Sequence, residues 1–207
     1  MKPTSISLVF IVLLLVFMGC AGSIEGMWHE KDKGTLEKSK ESPKEKSTAT
    51  TGSYRMNRPE GYREWIFVGA PVTPHDLNNG KAAFPEFHNV YIDPDSYIQY
   101  KKTGIFPNGS TFVKELVSVG TKKAVSGNGY FQGEYIGLEV AVKDSEKFPE
   151  APGNWAYFSF TDPMVPIMNI STISPESACN ACHKANAAED WVFTQYYPVL
   201  RAAKPMK

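Results

Sequence analysis

The chain has 207 residues, and its 22 Lys and Arg residues balance 22 Asp and Glu residues, so the formal net charge is zero. A balanced charge creates no overall field that would attract nucleic acid or an anionic surface, which argues against a nucleic-acid-binding protein. The length suits one domain of ordinary size with its own apolar core. Small molecules and redox proteins are therefore the expected partners.

The N-terminus has the pattern of an export signal. Lys2 precedes an apolar run from Ile6 to Met18, which is too short to span a membrane comfortably. Gly19-Cys20 follows this run and resembles a bacterial lipobox, in which the cysteine is acylated. We expect residues 1–20 to be a signal peptide with a lipobox, and the protein to be periplasmic and to meet the membrane only through a lipid anchor. Simple cleavage and an uncleaved anchor are the alternatives.

The next segment, residues 21–58, is rich in mixed charge and poor in large apolar side chains. Such a segment buries too little apolar surface to offset the entropy lost on ordering. It is predicted to be a flexible tether, with a solvated helix as the alternative. The folded domain is expected over residues 59–207.

Within that domain the predicted elements follow one another closely. "PEGYREWIFVG" predicts a short helix leading into a strand, and "EFHNVYIDP" predicts a second strand. Asp93-Pro94 and Gly104 are typical of the start and end of a helix. Three further β-rich runs are "STFVKELVSVG", "YFQGEYIGLEVAVKD" and "NWAYFSFTD", and "DWVFTQYYPVLRAAK" predicts a terminal helix broken or bent at Pro198. The pattern indicates an α+β fold: a mostly antiparallel sheet with flanking helices.

The motif Cys179-Asn180-Ala181-Cys182-His183 lies in a segment of helical pattern near the C-terminus. A disulfide would close a very small loop, structural zinc would need further ligands, and a thioredoxin motif would need a βαβ context. Covalent haem c uses all three residues in an exported chain, because two thiols bond the haem vinyl groups and the imidazole binds iron. We therefore predict Cys179 and Cys182 as haem attachment sites and His183 as the axial iron ligand, all on a C-terminal helix.

The other side of the iron is expected to be open. Of the methionines that could bind it, only Met206 follows the motif, and Met164 and Met168 lie upstream in stretches where methionine commonly fills a core. One strong ligand and an open position favour binding or catalysis over pure electron transfer.

Several segments together resemble the cytochrome P-460 family. They are "REWIFVG", "FHNVYIDPDSY", "KTGIFPNGSTFVKELVSVG", "GNGYFQGEYIGLEVAVKDSEKFP", "PGNWAYFSF" and "CNACHKANAAEDWVFTQYYPVLR". The resemblance implies a periplasmic homodimer with one haem c per subunit and a covalent bond between a lysine and the macrocycle. It implies oxidation of hydroxylamine to nitrous oxide through an iron nitrosyl, with electrons passed to an external acceptor cytochrome.

The resemblance assigns the cross-linking lysine to Lys114 in "VKEL". On a strand Lys114 shares a face with Phe112 and Leu116, where apolar surroundings favour a nucleophilic amine. A lysine whose stem packs on apolar surface while its head reaches water is the alternative. Glu115 has similarly apolar neighbours, so alternation by itself does not single out Lys114.

Two further residues are candidate catalytic groups. The resemblance places a distal carboxylate near Glu139, which would accept protons from the substrate, although a solvated or structurally paired acid fits the pattern as well. His88 shares a predicted strand face with Val90 and is a candidate distal group or a core histidine. His29 in the tether and His75 after Pro74 are poor ligand candidates.

Two rival functions remain open on the sequence. A β-type cytochrome c′, which has no haem–lysine bond, would bind nitric oxide as its small ligand. A monohaem electron carrier would use Met164, Met168 or His88 as the sixth iron ligand.

Overall fold

The computed structural model describes residues 54–165 and 167–206. Its main sheet has five antiparallel strands in the order β2–β3–β4–β7–β8. The strands are β2 (Ile66–Gly69), β3 (Phe87–Ile92), β4 (Thr111–Val119), β7 (Gln132–Lys143) and β8 (Trp155–Ser159). The sheet and the helices that flank it confirm the predicted α+β class, and each of the five strands lies in a run predicted to be β.

Both faces of the sheet carry apolar side chains, because residues along each strand alternate between them. Phe112, Trp155 and Tyr157 pack into one buried cluster, while Val113 and Phe158 belong to a second. The first cluster also receives the C-terminal segment, including Leu200, and the cavity described below lies on this face.

Helix α1 (Pro94–Thr103) has the predicted ends. The Asp93 side chain accepts a hydrogen bond of 2.8 Å from the Ser96 backbone N–H, and Gly104 ends the helix with a φ of 72°. Inside the helix, Tyr100 is buried and stacks on Phe106 with ring centroids 4.3 Å apart. This packing fixes α1 against the cluster that borders the cavity.

The C-terminal segment agrees with its prediction only in part. Helix α2 (Asn180–Asn186) carries the CxxCH motif as expected, with Cys179 as its cap. The predicted break at Pro198 is present, because helix α3 (Pro198–Ala203) begins there, but the residues before Pro198 do not form the expected helix. Proline is tolerated at the first helical position because that N–H needs no partner within the helix. Before α3 the chain forms a turn with positive φ at Asp190 and Trp191, and then a single 3₁₀ turn over Thr194–Tyr196.

Short strands complete the described part of the chain. Strand β1 (Arg55–Asn57) pairs with β9 (Ile170–Thr172), and β5 (Lys123–Ala124) pairs with β6 (Gly127–Asn128). Strand β1 lies inside the segment predicted to be a flexible tether. The prediction is wrong for residues 55–57, because antiparallel pairing with β9 orders them.

The other N-terminal predictions fall outside the described residues. They are the signal peptide over 1–20 with Cys20, the tether up to residue 53, and His29. Within residues 54–165 and 167–206, no helix has the length and apolar character needed to cross a membrane.

Candidate haem site

A cavity lies between the sheet and the C-terminal segment. Phe112, Lys114 and Glu139 line it from the sheet, and Cys179 and His183 line it from the other side. Aromatic side chains form much of its wall, as is common where a protein holds a cofactor. The fold thus brings the CxxCH motif to the same cavity as two of the predicted catalytic residues.

The two cysteines of the motif are positioned by the start of α2. Cys179 is half-buried at the cap of the helix, and Cys182 is exposed about one turn later. Both are free thiols, so they are not joined in the small disulfide that the sequence left open. Burial raises the pKa of the Cys179 thiol.

His183 is held by a hydrogen bond from its own ring. Its Nδ1 lies 2.7 Å from the backbone oxygen of Trp191, and because a carbonyl only accepts, Nδ1–H is the donor. Nε2 then carries the lone pair. Burial lowers the pKa of His183, and the ring packs between Tyr157 and Phe193 at centroid distances of 4.4 and 4.7 Å.

This donor set fits haem c. Cys179 and Cys182 supply two free thiols within one turn of helix, and His183 supplies a neutral imidazole whose Nε2 is available to iron. A backbone carbonyl that fixes the tautomer of a ligating histidine is the usual outer partner of such a ligand.

Lys114 lies on the cavity face of β4. It pairs across the sheet with Val90 on β3 and with Glu139 on β7, so it occupies the centre of a three-strand row. Its Nζ is 5.9 Å from the centre of the Phe84 ring. The amine is thus placed on the cavity wall that faces the CxxCH helix.

Glu115, the neighbour of Lys114, faces the opposite side of the sheet. Its carboxylate is buried and accepts hydrogen bonds of 2.7 Å from Tyr62 Oη and 2.6 Å from Arg63 Nε. In the sequence, strand alternation did not distinguish Glu115 from Lys114. The structure does, because the bonds from Tyr62 and Arg63 hold Glu115 in a polar cluster away from the cavity.

Glu139 is half-buried beside the cavity, and its Oε1 accepts hydrogen bonds of 3.0 Å from Ser159 Oγ and from Thr161 Oγ1. Burial raises the pKa of Glu139, while Lys114 and the two hydroxyl groups act in the opposite direction. A carboxylate whose pKa lies above its ordinary value can exchange protons closer to neutral pH. The position of Glu139 on the cavity wall and its raised pKa therefore suit a proton acceptor.

His88 lies on the same face but outside the cavity wall. It pairs with Leu116, two residues along β4 from Lys114, and its Nε2 is 3.3 Å from Glu86 Oε1. Burial is the main reason that the pKa of His88 is lowered, and Lys114 lowers it further. The structure thus brings His88 near Lys114 and gives it a carboxylate partner, Glu86, that the sequence analysis did not identify.

The methionines considered as sixth ligands lie elsewhere. Met164 and Met206 are 89% and 100% exposed, and Met168 lines a different pocket beside β9. Among the residues that the structure describes, no methionine lines the haem cavity. His75 is exposed at the surface.

The residues that shape the cavity around the motif were not predicted from the sequence. Trp155, Tyr157, Trp191 and Phe193 line it, and Ser159 and Thr161 hold Glu139. The only available signal was "DWVF" shortly after the CxxCH, where aromatic residues close to a haem motif suggest a pocket wall.

Comparison with known proteins identifies a family for this chain. A search of curated proteins found no significant match. The model of one family, described as cytochrome P460, matches residues 59–194, which span the sheet, the CxxCH motif and the Trp191 turn. The chain therefore belongs to the cytochrome P460 family and is a haem c protein.

Proposed function

We propose that this protein oxidises hydroxylamine to nitrous oxide at an open haem c site in the periplasm. The observation that carries the proposal is the cross-strand pair of Lys114 and Glu139, which puts an amine and a half-buried carboxylate on the wall of the cavity that Cys179 and His183 also line. A site that only carried electrons would have no use for a proton acceptor there.

In this proposal the bound haem supplies the redox chemistry. Cys179 and Cys182 would hold it through thioether bonds, and His183 Nε2 would be the protein ligand to iron. The carbonyl of Trp191 keeps His183 in the tautomer that leaves Nε2 free. The family resemblance implies that Lys114 would hold the macrocycle through a further covalent bond.

Glu139 accepts the protons that hydroxylamine loses as it is oxidised. The Ser159 and Thr161 hydroxyl groups fix its carboxylate by two hydrogen bonds of 3.0 Å. The raised pKa of Glu139 makes it a better proton acceptor than an ordinary surface carboxylate. His88 and Glu86, which lie along the same face, are a candidate route for protons to leave.

The proposal includes the location of the protein and its partners. The export signal and lipobox support a periplasmic protein that a lipid anchor attaches to the membrane. The electrons would pass to an external acceptor cytochrome, and the family resemblance supports a homodimer. The balanced charge of the chain argues against nucleic acid as a partner.

Steady-state turnover tests the proposal. Holoprotein is assayed with hydroxylamine and an artificial one-electron acceptor, and wild type is compared with Glu139→Gln. Loss of a positioned proton acceptor should reduce kcat by about 10²-fold or more. Glu134→Gln is the matched control, since Glu134 lies on the same strand with an exposed side chain. No turnover by wild type, or equal rates for the two variants, would contradict the proposal.

Nitric oxide binding is the second candidate. It is supported by the aromatic part of the cavity wall, where Phe112, Trp155 and Phe193 provide an apolar environment for a small uncharged ligand. A wild-type protein that binds nitric oxide tightly but does not oxidise hydroxylamine would favour this function.

A further inference from the structure

The indole N–H of Trp191 is a buried hydrogen-bond donor without an acceptor. Among the described residues it is the single buried side-chain nitrogen or oxygen with no hydrogen-bond partner. An unpaired buried donor costs free energy, so native structures rarely leave one unsatisfied. Trp191 also lines the haem cavity. A bound group with an acceptor oxygen would remove that cost.

The backbone holds Trp191 in a conformation that a tryptophan rarely adopts. Asp190 and Trp191 have φ values of 41° and 59°, in the left-handed region that disfavours bulky residues. Backbone hydrogen bonds between Glu189 and Val192 close the turn, with Val192 N–H donating to Glu189 O at 2.6 Å. Strain of this kind persists only where the surroundings enforce it, and it is concentrated at functional sites.

Neighbouring side chains anchor the turn. Asp190 accepts a hydrogen bond of 2.6 Å from Lys143 Nζ, and Trp155 Nε1 lies 3.4 Å from its other oxygen. Gly153 leaves room for the Trp191 ring, because a Cβ atom on Gly153 would lie 2.5 Å from Trp191 Cε3. The indole therefore has a fixed position, and its free N–H is a consequence of that position.

We infer that Trp191 is a haem-binding residue whose indole N–H donates a hydrogen bond to a carboxylate side group of the macrocycle. An indole nitrogen is only a donor, and the carboxylates are the strongest acceptors that a haem carries. Trp191 then has two roles at the haem. Its indole N–H binds the carboxylate, and its backbone oxygen accepts the hydrogen bond from the iron ligand His183. The inference requires bound haem c and is independent of hydroxylamine oxidation.

The hydrogen bond has an electrostatic consequence. It draws negative charge away from the carboxylate, which makes the surroundings of the iron less negative and favours the ferrous state. Hydrogen bonding around a haem is one of the means by which a protein sets its reduction potential. Trp191→Phe keeps an aromatic ring over Gly153 but removes the donor, so we expect it to lower the potential.

The test uses holoprotein whose haem attachment has been verified by mass. The reduction potentials of wild type, Trp191→Phe and Trp65→Phe are measured by spectroelectrochemistry. Trp65→Phe is the matched control because Trp65 packs against the cluster on the opposite face of the sheet. A lower potential in Trp191→Phe than in both other proteins supports the inference, and equal potentials contradict it.

A crystal structure of wild-type holoprotein gives a second result that needs no variant. The inference predicts a haem carboxylate oxygen at about 2.7–3.2 Å from Trp191 Nε1. A water molecule or no acceptor at that nitrogen would overturn it, even in a protein that turns over hydroxylamine. Absence of covalent haem from the verified mass would instead refute the haem assignment itself.

Discussion

Replacing Gly153 by alanine tests whether the Trp191 ring is fixed as described. The added Cβ would lie 2.5, 2.7 and 2.8 Å from three carbon atoms of the Trp191 ring, distances that require one of the two residues to move. The ring is rigid and its backbone lies in a closed turn, so the movement is costly. Gly153 also has a φ of 64°, where any side chain is strained.

The expected loss follows from these two effects. The left-handed conformation costs a non-glycine residue about 1–2 kcal/mol, and forcing atoms into a packed site adds about 1–3 kcal/mol. Gly153→Ala should therefore lower the free energy of unfolding by about 2–5 kcal/mol. Displacement of Trp191 should also move the carbonyl that binds His183, and so change the haem absorption spectrum.

Gly61→Ala is the matched control. Gly61 has a φ of 65° and no atom within 4 Å of the position of an added Cβ, so this variant pays the backbone cost alone. The measurement is urea denaturation of the three holoproteins at neutral pH. A difference between the two variants below about 0.5 kcal/mol, with identical haem spectra, would refute the description of the Trp191 contact.

Glu139→Gln and Glu115→Gln test residues on opposite faces of the sheet. Because its folded-state pKa is raised, Glu139 contributes stability below its unfolded pKa that is lost as pH rises through the raised value. Glu139→Gln has no carboxyl group to ionise and so avoids this loss. The unfolding free energy of the variant, measured by denaturation, should therefore increase relative to that of wild type from acidic to neutral pH. A difference that does not change with pH would contradict the raised pKa of Glu139. Glu115→Gln weakens the bonds from Tyr62 and Arg63 and should cost about 1.5–3 kcal/mol by denaturation, with hydroxylamine turnover unchanged. Lost turnover at unchanged stability would place Glu115 in the site.

Much of the fold could be predicted because its signals are local. Asp93 and Gly104 mark the ends of α1 by side-chain capping and by a left-handed backbone, and the strand runs are bounded by turn residues. The CxxCH motif likewise carries its chemistry in adjacent residues. Those features depend little on the rest of the chain.

The features that were missed depend on distant contacts. Strand alternation gives Lys114 and Glu115 equally apolar neighbours. Only the hydrogen bonds that Glu115 accepts from Arg63 and Tyr62 show that Glu115 faces away from the cavity. The positive φ at Trp191 has no glycine or asparagine to indicate it. It becomes intelligible once Gly153 is known to lie against the ring.

The most direct test of the proposed function asks whether Lys114 is bonded to the haem. Holoprotein with its native haem is digested, and the fragments are analysed by mass spectrometry. The proposal predicts that the peptide containing Lys114 is covalently joined to the haem peptide that carries Cys179 and Cys182. If haem is attached only through the two cysteines and the Lys114 peptide is free, the hydroxylamine oxidase proposal is contradicted and nitric oxide binding becomes the better-supported function.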